Sequence, residues 1–128
     1  HSDLVPPHGV FLVATVDGRP VACGAVVRVP EDIGYIKRMW VDPSMRGLGL
    51  GRRLLRSLEA SASELGCTVA RLETNRVLEE AIELYRSAGY REVRPFNEER
   101  YAHHWFEKRL GDDSGGPIRG PLQGARNR

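Results

Sequence analysis

Val41-Asp42-Pro43-Ser44-Met45-Arg46-Gly47-Leu48-Gly49-Leu50-Gly51-Arg52-Arg53 is the stretch on which the reading of this chain turns. The residues leading into it, Gly34 to Val41 (GYIKRMWV), have the composition of a strand. Asp42-Pro43 stops that strand, because proline has no N–H to give to a ladder. From Gly49 the period changes. Leu50, Leu54, Leu58 and Leu65, with Leu55 and Ala62, form one apolar stripe at helical spacing. Arg52, Arg53, Arg56, Glu59 and Glu64 fill much of the rest of the wheel, and Gly66 closes the helix as a left-handed cap. Three alternating glycines therefore fall where a strand feeds a helix. Such glycines let a ligand come close to the backbone. The free N–H groups at the positive end of a helix dipole suit a phosphate. Arg46, Arg52 and Arg53 add positive charge, so the segment predicts an anion site of the nucleotide pyrophosphate kind.

Two familiar phosphate motifs do not fit. A P-loop needs Gly-Lys-Ser/Thr, whereas Gly51 is followed by Arg52-Arg53. A dinucleotide fingerprint needs a third glycine three residues after the second, and that position holds Arg52 counted from Gly47 or Leu54 counted from Gly49. Glu73, at the end of the next strand, imitates the ribose-binding acid of that fold, but only one strand–helix–strand unit follows. A glycine-rich turn with no ligand is the competing reading. The convergence of three glycines and three arginines on one helix start argues against it.

Working outward, Gly9 to Val16 (GVFLVATV) reads as a buried strand, Asp17-Gly18 as a hairpin turn and Val21 to Val29 as the returning strand. Pro30-Glu31-Asp32 marks the next turn. Beyond the first helix, Thr68 to Glu73 is a strand and Leu78 to Ala88 a second helix closed by Gly89. Tyr90 to Val93 and Ala102 to Leu110 make a closing strand pair, separated by the loop Arg94 to Arg100. Alternation along Tyr101 to Phe106 would put Tyr101, His103 and Trp105 on one face and Ala102, His104 and Phe106 on the other. The order predicts a mixed α/β (α+β) domain over residues 9–110, after a lead-in at 1–8 and before a Gly- and Pro-rich flexible tail at 111–128.

With 128 residues the chain has room for one core. Lys and Arg total 19 against 17 Asp and Glu, a net +2 that gives no grounds for nucleic acid. No apolar stretch approaches the ~20 residues that cross a bilayer, so a cytoplasmic protein without a membrane partner is the expectation. Cys23 and Cys67 match no metal spacing and read as buried free thiols, and no metal is expected.

Arg46-Gly47-x-Gly49-x-Gly51 after Val41-Asp42-Pro43 resembles the cofactor motif of the GNAT N-acetyltransferase superfamily. Ala81-Ile82-Glu83-Leu84-Tyr85-Arg86-Ser87-Ala88-Gly89-Tyr90 resembles that family's second signature, in the right order and spacing. The resemblance covers about Gly9 to Leu110. It implies a mainly antiparallel sheet with a splayed central strand pair, flanking helices and acetyl-CoA as co-substrate. The cofactor's pantetheine arm would lie in the splay and pair with the backbone of Met39, Trp40 and Val41, where an N–H would stabilise the oxyanion. Arg46, Gly47, Leu48, Gly49, Leu50, Gly51, Arg52 and Arg53 would carry the pyrophosphate. Tyr85 would protonate the departing thiolate; read without the family, it is a core aromatic.

Three departures accompany the resemblance. Many relatives have a Glu base early in the third strand, where this chain has Tyr35, so Glu73, Glu31 or His104 becomes the candidate. The Asn that often opens the second helix is Leu78 here, and Asn75 either replaces it at the cofactor or caps the helix. The family's first strand and first two helices have no counterpart before Gly9, so a fragment or processed form with an incomplete acceptor pocket is expected. Tyr35, Asn97 and His104 are the candidate acceptor contacts. The implied reaction is acetyl transfer to a primary amine of a small molecule by direct attack in a ternary complex; a CoA-binding domain without turnover and a dinucleotide-binding fragment are the alternatives. The oligomeric state is open, a homodimer among the options.

Overall fold

Asp17 and Gly18 both adopt left-handed backbone, φ 50° and 78°, the geometry whose twist matches that of paired strands. They fold β1 (Gly9–Val16) back onto β2 (Arg19–Val29), which pairs in turn with β3 (Ile33–Val41), all antiparallel. The structure, a computed structural model, describes residues 8–75 and 79–111. The predicted lead-in (apart from His8), Leu78 and the predicted tail beyond Gly111 lie outside the described residues. After β3 come a short 3₁₀ turn at Pro43–Met45, α1 (Leu50–Glu64), β4 (Val69–Thr74), α2 (Glu79–Ser87), β5 (Arg91–Val93) and β6 (His104–Arg109). The strands form one sheet in the order β1-β2-β3-β4-β6-β5. Among the described residues only β3 and β4 run parallel, and they pair only from Ile33 to Tyr35, against Val69 to Arg71.

The Asp42-Pro43 stop has a clear local basis. The Asp42 carboxylate accepts from the Ser44 backbone N–H at 3.1 Å and caps the 3₁₀ turn that redirects the chain toward α1. The apolar stripe of α1 then packs on the sheet: Leu54, Leu55, Leu58 and Ala62 meet Leu12, Ala22, Val26 and Ile36 in the core. Each buried leucine of this kind is worth about 1.5–3 kcal/mol. Gly66, φ 92°, caps the helix as predicted. Tyr90 and Lys108 both donate to the Glu59 carboxylate, at 2.8 and 3.0 Å, which ties α1 to the end of the second helical segment and to β6. Arg52 of α1 also donates to the Ser87 hydroxyl of α2.

The predicted last strand needs correction. It begins at His104 rather than Ala102, because Glu99 to Ala102 form a turn closed by a backbone bond from Ala102 to Glu99 at 3.3 Å. Tyr101 is 70% exposed there, so the predicted alternation holds only from His104 onward, with Phe106 as its core member. Cys67 is buried as expected, but Cys23 is only half-buried.

A bulge interrupts β3. Cys23 pairs with Trp40 and Ala25 with Lys37, so Arg38 and Met39 together oppose Gly24. Arg38 takes left-handed backbone, φ 61°, at the bulge. A Cβ at Gly24 would lie 2.8 Å from Leu58 Cδ1 and 3.1 Å from Met39 Cγ, so only glycine leaves room for α1 and the bulge together. Gly24→Ala is therefore expected to lower stability by about 1–3 kcal/mol in urea unfolding; unchanged stability would mean that α1 and β3 can shift to absorb a methyl group.

Candidate active site

Past Tyr35, β3 and β4 separate and enclose a cleft of about 320 Å³. Ile36 to Met39 form one wall and Leu72 to Asn75 the other. Ala81 and Tyr85 of α2, with Glu99, Tyr101 and Ala102 of the loop before β6, complete it. The bulge at Arg38 thus sits on the β3 wall.

Tyr85 is buried, with its hydroxyl 3.9 Å from the Met39 sulfur. Burial, and then the negative charge of Glu73, push its phenol up to about 12. The group is therefore a proton donor at neutral pH. Glu73 occupies the opposite wall and accepts from the Tyr35 hydroxyl at 2.6 Å and from the Asn97 amide at 3.1 Å. Burial, the bond to Glu73 and its charge raise the Tyr35 phenol. Phe96 packs edge-on against Tyr35 at 6.4 Å, with the Arg71 guanidinium 5.1 Å from its ring centroid.

At the glycine-rich turn, Gly47 and Gly49 are left-handed, φ 81° and 78°, and a Cβ at either would meet nothing within 4 Å. The left-handed conformation accounts for both, and the space beside them is open. Gly49 caps α1 without a side-chain hydrogen bond, and the first turn carries no acid, so its N–H groups suit an anion. Arg46 and Arg53 stand exposed beside it, as does Leu48. Gly51 differs from both: it faces the second helix, where a Cβ would lie 3.4 Å from Leu84, an ordinary contact distance. Leu50 is half-buried against the core. The residues of this turn fit a diphosphate.

Met39 lines the cleft, while Trp40 is 45% exposed and Val41 packs against the core. Asn75 lines the cleft and donates to the Tyr101 carbonyl at 2.9 Å. His104 is not brought to the cleft: its Nδ1 lies 2.6 Å from Glu92, at the edge formed by β5 and β6. Glu31 is an exposed turn residue with φ 72°. Tyr101, read in the sequence as part of the closing strand, lines the cleft, as do Lys37, Arg38, Thr74 and Glu99, which had not been singled out. The Trp105 indole, which donates to Asn97 at 2.9 Å, was also missed as part of this network. Its placement follows from the register that pairs Glu73 with Trp105, which sequence alone did not supply. Among the described residues no group of three or more His, Cys, Asp or Glu could hold a metal ion, and no helix is long and apolar enough to cross a membrane.

Residues 1–90 match the model of the Acetyltransferase (GNAT) family. This chain belongs to the GNAT acetyltransferases. It is 40% identical over 94 residues to an IAA acetyltransferase of Azospirillum brasilense, a match covering 73% of this chain and 61% of that protein. The chain thus spans less than two thirds of that relative's length. A crystal structure from Klebsiella pneumoniae, assigned to the acyl-CoA N-acyltransferases, superposes with a TM-score of 0.75 at 36% identity, covering 86% of this chain and 78% of that one. An N-acetylglutamate synthase from Neisseria gonorrhoeae, solved with coenzyme A and N-acetyl-glutamate, shares the fold with a TM-score of 0.69 at 22% identity, over 80% of this chain and 26% of that one. This member of the GNAT family has the fold that the resemblance implied: a mostly antiparallel sheet whose central pair parts around a cleft.

Because both causes favour the neutral phenol, Tyr85 should stay protonated well past the ordinary tyrosine range. Phenolate absorbance compared between wild type and Tyr85→Phe should show no Tyr85 ionisation below about pH 10. Removing the negative charge with Glu73→Gln should bring that ionisation to lower pH. An early Tyr85 transition in wild type would contradict the buried placement.

Proposed function

We propose that this chain transfers an acetyl group from acetyl-CoA to a primary amine of a small molecule, by direct attack of the amine within a ternary complex. One observation carries the reading: a neutral, buried phenol and a hydrogen-bonded carboxylate face one cleft from opposite walls, beside a strand edge without a ladder partner. On this reading Gly47 to Arg53, with Arg46, hold the pyrophosphate. The β3 backbone from Met39 to Val41 holds the arm and supplies an N–H to the developing oxyanion. The thioester contributes the activated acyl group. Tyr85 gives its proton to the leaving thiolate, whose thiol ordinarily titrates near ~8.5. Glu73 takes the proton that the amine must lose. Tyr35 stands where many relatives carry the base, and its bond to Glu73 supports moving that role one strand across. Asn97 shapes the acceptor side through the same carboxylate. The Trp40 side chain, Asn75 and His104 keep no part in the chemistry on this reading. Residues 9–110 form the catalytic unit.

Thiol release from acetyl-CoA, measured with spermidine, tryptamine and the common amino acids as acceptors, tests this directly. Release with at least one amine is the expected result; acetyl-CoA binding without release from any would leave a binding domain. Tyr85→Phe should lower kcat at least about tenfold while the acetyl-CoA KM stays within about twofold. A variant with wild-type kcat would remove Tyr85 from the mechanism.

A further inference from the structure

An asparagine side chain offers a donor at one end and an acceptor at the other, and its neighbours decide which end faces where. Asn97 Oδ1 accepts from the Trp105 indole N–H at 2.9 Å and from the Glu99 backbone N–H at 3.2 Å. Both partners can only donate. They hold the oxygen on their side, which turns Nδ2 toward Glu73 Oε1 at 3.1 Å and the Tyr35 hydroxyl at 3.5 Å. The other carboxylate oxygen takes the Tyr35 hydroxyl at 2.6 Å. Glu73 pairs with Trp105 across the β4–β6 ladder, so both side chains stand on one face of the sheet. The carboxylate is thus fixed from two directions at the wall of the cleft, and one of those directions is set by a tryptophan that does not itself reach the carboxylate in the bond chain.

We propose that Trp105 and Asn97 act as a positioning pair that aims the Glu73 carboxylate at the acceptor amine. The pair touches none of the reacting atoms and works only through Glu73; this rests on the reading of Glu73 as base. A clip that merely fastened the loop to the sheet would act regardless of what stands at position 73. The difference is measurable by a double-mutant cycle.

The experiment uses the full chain, with kcat and KM from thiol release by acetyl-CoA and the amine of the panel that wild type acetylates fastest, and urea unfolding alongside. Trp105→Phe removes the indole N–H and keeps the ring packing; Asn97→Ala removes the relay. Each should lower kcat at least about tenfold, with the acetyl-CoA KM within about twofold of wild type. In a Glu73→Gln background neither should cost more than about a further twofold. Losses that multiply with Glu73→Gln, or single variants with wild-type kcat, overturn the positioning role. Glu73→Gln with wild-type kcat overturns the base reading beneath it, an outcome visible without the pair. Absence of thiol release with every amine refutes both readings together.

Discussion

The structure depends on an asymmetry in β3. On one side it pairs with β2 over its whole length, apart from the bulge, while on the other it meets β4 only from Ile33 to Tyr35. Backbone amides and carbonyls are obligatory hydrogen-bonding groups, and a strand edge released in mid-sheet needs something else to bond. The bulge at Arg38 strengthens the effect, since it kinks the strand where the gap opens and turns Met39 toward α1 and the Tyr85 hydroxyl. Gly24 is the complementary concession on β2. Cleft, bulge and glycine form one arrangement.

The two walls of that gap differ electrostatically. Tyr85 comes from a helix packed into the core, and burial holds its proton; Glu73 ends a strand and is met by two donors. The charge on Glu73 further favours the protonated phenol across the cleft. A buried phenol and a carboxylate met by donors, set across one cleft, are raw material for an acid and a base within one site. On the proposed mechanism the chain therefore begins a turnover with the Tyr85 proton already in place for the leaving thiolate.

Much of this was legible in the sequence wherever the cause is local. The Asp17-Gly18 hairpin, the stop at Asp42-Pro43, the stripe of α1 and the Gly66 cap each depend on neighbours within a turn or two, and each was read correctly to within a residue or two. The glycine-rich turn and the Tyr85 segment were recognisable because their spacing is short. What escaped the reading depends on register between distant segments. Nothing near Tyr35 in sequence announces that its hydroxyl meets Glu73, because three residues of parallel pairing decide it. The same holds for Asn97 and Trp105, whose contact needs the true start of β6. His104 was misdirected for the related reason that its partner, Glu92, lies on a short edge strand. The approach of Gly51 to Leu84 of the second helix likewise depends on a distant segment.

The anchoring of Glu59 has a wider consequence. Tyr90 and Lys108 converge on it, and Arg52 reaches Ser87, so the wall carrying Tyr85 is braced to the same helix that begins at the glycine-rich turn. The segment from 94 to 103, by contrast, is irregular and attached to the sheet largely through side chains such as Phe96 and Asn97. The wall carrying Tyr85 is thus braced by regular elements, whereas the surface beside Glu73 belongs to a loop. Substitutions in such a loop leave the core packing untouched. On the proposed mechanism, a lineage of such proteins is therefore free to exchange one amine for another while the machinery that would handle the thioester is inherited intact.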